Sequence, residues 1–146
     1  MNSYLKLKEQ QQKEVNDFPM VFAFSKEQFE KAMQKLGLTV KDTDKIYSIG
    51  GGGYIRKTDS EAFGNMFKKH KKEMDSAIAE DLTGDGFIYE MFNYELSNHE
   101  YVITGDTEDT INALGLTIEE IQQDKRLLHA LKKACKYQEE WYRKHG

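Results

Sequence analysis

The sequence predicts an α+β fold, with about five or six helices packed on a small, mainly antiparallel sheet. Three observations predict it. Amphipathic stretches with clear start and stop residues fill most of the chain. Strand-like runs are few and short. The composition also suits a packed core, since the 146 residues are 38% hydrophobic and 32% charged and include eight Phe, eight Tyr and one Trp.

Residues 1–18 read as a polar helical lead-in, able either to lay a thin stripe (Tyr4, Leu7, Gln11, Val15, Phe18) on the core or to fray. Pro19 breaks it, and residues 19–146 are expected to form one α+β domain. Met20–Phe24 is a short strand. Ser25 and Gln28 form a capping box for a helix bearing Phe29, Met33 and Leu36, and Gly37 stops it. Two extended arms flank Gly50–Gly53. Thr58 and Glu61 are read as a second capping box. The helix it opens carries Phe63, Phe67, His70, Met74 and Ile78 on a stripe expected to be buried.

Asp81–Gly86 is a polar break, and Ile88, Phe92 and Leu96, spaced by four, favour a helix from Phe87. The β-branched run Tyr101–Thr104 reads as another short strand. Asp106 or Thr107 starts a short helix that Gly115 ends, Thr117 caps the next, and Asp124 opens the last.

Charge is unevenly distributed. The net charge is −4, yet Glu73–Asp124 holds fourteen Asp/Glu and no Lys or Arg. The other 11 acidic residues share the flanks with all 21 basic ones, giving the flanks +10. Such a field attracts a basic protein surface or imitates phosphates, unless the carboxylates scatter or pair with the flanking lysines. Glu90, Glu95, Glu100, Asp106, Glu108 and Asp109 are the expected interaction residues. Lys68, Lys69, Lys71 and Lys72 form a basic cluster, but the negative net charge disfavours nucleic acid as a partner.

The glycine run admits two readings. Consecutive N–H groups at Gly50–Gly53, with Arg56 and Lys57 nearby, could cradle a phosphate or other anion. No Gly-Lys-Ser/Thr follows, so a hairpin turn or a close aromatic approach is preferred. Asp81, Thr83, Asp85 and Gly86 are spaced like the start of a calcium loop, but the closing carboxylate position holds Phe92. Glu95 and His99 could share a metal or a proton, though a helix-surface hydrogen bond is simpler. Cys135, the single cysteine, lies in an apolar helical stripe and excludes an intrachain disulfide. No catalytic residue, cofactor or metal is assigned.

The longest apolar run, Met20–Phe24, is far too short to span a bilayer, and a cytoplasmic location is expected. The stretches Lys45–Arg56, Phe87–Phe92, Asn98–Tyr101, Gly105–Thr110 and Ala113–Thr117 together carry a resemblance. Over roughly residues 20–140, the chain resembles a family of small uncharacterised proteins of bacterial phages and other mobile elements. The resemblance implies no activity and no site residue, only an accessory role in binding host or element proteins. The function expected is therefore a non-enzymatic binding or regulatory protein that engages a basic protein partner through residues 73–124. The alternative is a small-ligand or phosphate-binding enzyme around Gly50–Gly53.

Overall fold

A computed structural model describes residues 2–146. Among them are eight α-helices: α1 (Ser3–Asp17), α2 (Lys26–Lys35), α3 (Ser60–Glu80), α4 (Phe87–Asn98), α5 (Tyr101–Thr104), α6 (Glu108–Ala113), α7 (Ile118–Gln123) and α8 (Lys125–His145). Three strands, β1 (Val21–Phe22), β2 (Ile46–Gly50) and β3 (Gly53–Arg56), form an antiparallel sheet in the order β1-β3-β2. The fold is α+β, as the sequence predicts. Among the described residues, no helix is long and apolar enough to cross a membrane. The chain divides into two compact units, Gln11–Lys72 and the segment up to Gln10 with Glu73–Gly146.

In the Gln11–Lys72 unit, α2 packs on one face of the sheet. Val21, Ala32, Met33, Leu36 and Ile46 are buried there, with Phe29, Leu38 and Tyr54 against them. Local signals work as expected. The Ser25 hydroxyl accepts the Gln28 N–H at 3.2 Å, while Gln28 Oε1 accepts the Phe24 N–H at 2.8 Å. At the other end, Gly37 turns left-handed and the Leu38 N–H reaches back to the Met33 carbonyl at 2.8 Å.

The second unit is built around α4, which packs against α8. Phe87, Ile88, Met91, Phe92 and Leu96 of α4 meet Leu127, Ala130, Leu131 and Ala134 of α8, and Ile111 and Ile121 anchor α6 and α7 to the same core. Tyr4, from the first turn of α1, is buried in it too. The first turn of α1 is thus seated in this core. Glu90 of α4 accepts the N–H groups of Ser3 and Tyr4 at 2.7 and 3.3 Å, placing a carboxylate at the N-terminus of α1, where the helix dipole favours negative charge.

The break between α3 and α4 is a loop closed by Asp81. Its carboxylate accepts backbone N–H groups from Thr83, Gly84, Gly86 and Ile88 at 2.9–3.3 Å. Arg126, held by Asp124, donates from Nη1 to the carbonyls of Ile78 and Asp81, both at 2.8 Å, tying the start of α8 to the end of α3 and the loop after it. The acidic spacing here therefore serves loop closure. Asp85 faces His129 and Lys133 at 2.7 and 2.9 Å.

Three local expectations are corrected. Tyr101–Thr104 is a helical turn, not a strand. Glu100 and Gly105, both left-handed, bracket it, and Tyr101 packs into the helical core, so tertiary burial overrides β-branched propensity. Thr58 does not cap α3. It lies inside a 3-10 turn, Lys57–Asp59, whose Asp59 is engaged by Arg56 at 2.9 Å. Phe67 is not buried but 44% exposed, its ring edge-on to Phe63.

Candidate functional site

Five exposed carboxylates of the acidic segment, Asp106, Glu108, Asp109, Glu119 and Glu120, lie on or beside α6 and α7, while Asp75, Glu80, Asp85 and Glu100 are exposed elsewhere. Gly105 releases the chain from α5, and the Asp106 carboxylate then accepts the Glu108 N–H at 2.8 Å, starting α6. The left-handed Gly115 ends α6, with the Leu116 N–H on the Ile111 carbonyl at 3.1 Å. Thr117 then caps α7 through the Glu120 N–H at 3.2 Å. Ile111 and Ile121 point inward, and the buried Thr110 hydroxyl donates to the Glu95 carbonyl at 3.2 Å.

This double stop-and-restart leaves an open groove of about 410 Å³. Ile111, Leu116 and Ile118 supply its apolar part, and Ile118 is 43% exposed. Asp106, Glu108 and Glu119 stand on its rim, and among the described residues no Lys or Arg forms an ion pair with any of them. The unit that contains the groove carries nine Lys/Arg against seventeen Asp/Glu, a net −8.

Of the six acidic residues expected to act at a surface, Asp106, Glu108, Asp109 and Glu100 are exposed. Asp106 and Glu108 share the groove. Glu90 is turned onto the start of α1. Glu95 is not a surface residue: it is 2% exposed. The tyrosine hydroxyl of Tyr4 donates to it, as does Lys8 Nζ at 2.9 Å, while His99 lies 4.0 Å away, beyond a hydrogen bond. Burial would raise its carboxyl, but the donors Tyr4, Lys8 and Asn98 outweigh burial and hold it below its usual value of 4.5. Burial, then the adjoining Glu95 carboxylate, pushes the Tyr4 phenol far up. Three apolar residues complete the groove, Ile111, Leu116 and Ile118, and the sequence reading assigns none of them to a site. The one sequence signal is Ile118, an isoleucine placed directly after the capping Thr117 at the first position of a short helix.

Glu95 gives a test of its own. Glu95→Gln is expected to cost about 1–3 kcal/mol at neutral pH, the scale of a charged hydrogen bond. Asp81 and Asp124 also sit below their usual 3.8, Asp81 because four N–H groups together outweigh burial, Asp124 chiefly through Arg126. Depressed carboxyls stabilise the fold fully above their unfolded values and cease to do so as pH falls through the folded ones. Stability should therefore be level above about pH 5 and decline below about pH 4.5. Urea unfolding at pH 7 and pH 3 should show the deficit of Glu95→Gln narrowing in acid.

The glycine run sits at the β2–β3 turn. Gly50, Gly51 and Gly52 have φ of +86°, +59° and +79°. A Cβ built on Gly52 would lie 2.5 Å from the Phe24 ring, and one on Gly53 would lie 2.9 Å from that of Phe22. Arg56 stands opposite Ile46, at the far end of the hairpin from the turn, and engages Asp59 and the Leu36 carbonyl. Lys57 Nζ lies over the Tyr47 ring at 5.1 Å. The hairpin thus brings Gly52 and Gly53 against aromatic rings, leaves Gly50 and Gly51 in open space, and directs both cations to other partners. Burial raises the Cys135 thiol, with Tyr101 pulling partly back, which leaves little thiolate at neutral pH.

Residues 3–137 match a family of unknown function, DUF7659. The chain belongs to that family. The match takes in both units and the whole groove of α6 and α7. No curated protein and no solved structure matches the chain.

Proposed function

We propose that this DUF7659 member is a non-enzymatic binding protein that holds a basic protein segment in the groove of α6 and α7. The supporting observation is the combination in one open groove of an apolar floor with three carboxylates that, among the described residues, no Lys or Arg pairs with. Each exposed ion pair contributes only about 0–1 kcal/mol, so the carboxylates select charge and speed encounter. Ile111, Leu116 and Ile118 supply the remaining affinity by excluding water. An amphipathic segment with Lys or Arg beside Leu or Ile fits both demands. In this reading the chain acts in the cytoplasm as an accessory protein of a phage or other mobile element, the context that its resemblance suggests.

A fluorescent Lys/Leu amphipathic peptide, with its Glu/Leu twin as control, tests the reading. The basic peptide is expected to bind, and binding should weaken steadily as salt shortens the screening length. The triple change Asp106→Lys, Glu108→Lys, Glu119→Lys should reduce affinity about tenfold or more, equal to about 1.4 kcal/mol. Binding that ignores both salt and the triple change would end the proposal.

A further inference from the structure

A second groove lies in the Gln11–Lys72 unit, beside the open edge of the sheet. β1 is an edge strand, paired only with β3. Val21 stands opposite Tyr54 and Phe22 opposite Gly53, and the next residue, Ala23, donates its N–H to the Gly52 carbonyl at 2.9 Å. Hydrogen-bonding direction alternates along an antiparallel strand, so the Phe22 N–H and C=O face away from β3, toward the unoccupied edge. A groove of about 340 Å³ runs between this edge and α2. Its walls are Met20, Val21 and Phe22 on one side and Gln28, Lys31, Ala32 and Lys35 on the other.

Lys31 and Lys35, one turn apart, line the groove, whereas Glu30 and Gln34 line a separate depression with Leu38, Thr39 and Val40. Both lysines are exposed, and among the described residues neither has a carboxylate within ion-pair distance. Val21 and Ala32, 8% and 4% exposed, form the floor, and Phe22, 53% exposed, stands at its margin. Three features therefore coincide: an edge with one outward N–H/C=O pair, a small apolar floor, and two unpaired cations one helical turn apart.

We infer that this groove binds an extended acidic segment of a partner protein, which adds a short strand to β1. Main-chain bonding at Phe22 fixes the register. Alternate side chains of the incoming strand enter the groove, where a small apolar residue meets Val21 and Ala32 and flanking carboxylates meet Lys31 and Lys35. Pro19 closes the edge on the N-terminal side, so pairing covers two or three residues and the lysines contribute a large share of the affinity. This surface belongs to different residues from those of α6 and α7, and it selects the opposite charge.

Four fluorescein-labelled octapeptides test the inference: alternating Glu and Val, alternating Lys and Val, and two Glu/Val versions N-methylated on either the odd or the even residues. The Glu/Val peptide is expected to bind and the Lys/Val peptide is not. Lys31→Glu with Lys35→Glu should weaken binding about tenfold or more, with an unchanged circular dichroism spectrum. One methylated version should lose binding about as strongly while the other keeps it, because only one edge of the added strand meets Phe22. Equal binding by both methylated versions overturns strand addition, and indifference to the lysine changes overturns the acidic specificity. A dimer in sedimentation velocity that the lysine changes dissolve would assign the groove to a second copy of this chain and overturn the assignment to a partner.

Discussion

Gly84→Ala should lower the unfolding free energy by about 3 kcal/mol or more, measured by urea denaturation at neutral pH. Two penalties combine at this position. Gly84 has φ of +86°, a left-handed conformation that costs an L-residue about 1–2 kcal/mol. A Cβ there would also lie 2.5 Å from the Arg126 carbonyl oxygen, which is backbone and has no rotamer to escape into. Relief requires the loop to back away from α8, which would stretch the bonds from Arg126 to the Ile78 and Asp81 carbonyls. The comparison that isolates this effect is Gly51→Ala, where φ is +59° and nothing lies within 4 Å of the added methyl. That change should show the conformational penalty alone. Equal losses at the two positions would mean that the contact with Arg126 contributes nothing.

Phe92→Ala should cost about 3–5 kcal/mol, the usual price of an aromatic-sized cavity in a packed interior. Phe92 is 0% exposed and lies on the part of α4 enclosed by the helical core. Its neighbours in that core include Ala130 and Ala134, too small to refill the space. Phe24, 77% exposed, is the control, and Phe24→Ala should change stability by less than 1 kcal/mol or so. Thermal melting with both variants checks the pair. A Phe92→Ala protein as stable as the parent would contradict the placement of α4 at the centre of its core.

Much of the architecture was legible because its signals are local. Ser25, Thr117 and Asp124 cap the helices that follow them, and Gly37 and Gly115 end the helices before them, because a cap needs only its own backbone. Tyr101–Thr104 forms a helical turn despite its strand-like composition, because strand propensity expresses itself only where a neighbouring strand offers hydrogen bonds. Thr58 sits too early to cap α3, because a tighter turn, with Asp59 engaged by Arg56, precedes the helix. At the level of the site, charge counting identified the acidic segment but not its division of labour. Asp81, Glu90 and Asp124 are bound by backbone amides, Asp124 also by the nearby Arg126, and Asp85 and Glu95 by cations distant in sequence. Only coordinates separate these from Asp106, Glu108 and Glu119, which remain turned to solvent beside exposed apolar groups.

The seating of the first helical turn has a practical consequence. With Tyr4 in the interior and Glu90 clasping the amides of Ser3 and Tyr4, shortening the chain by even five residues would strip a ring from the core and strand Glu95 without its phenol. Affinity tags and fluorophores are better placed after His145, where the final residues are exposed to solvent.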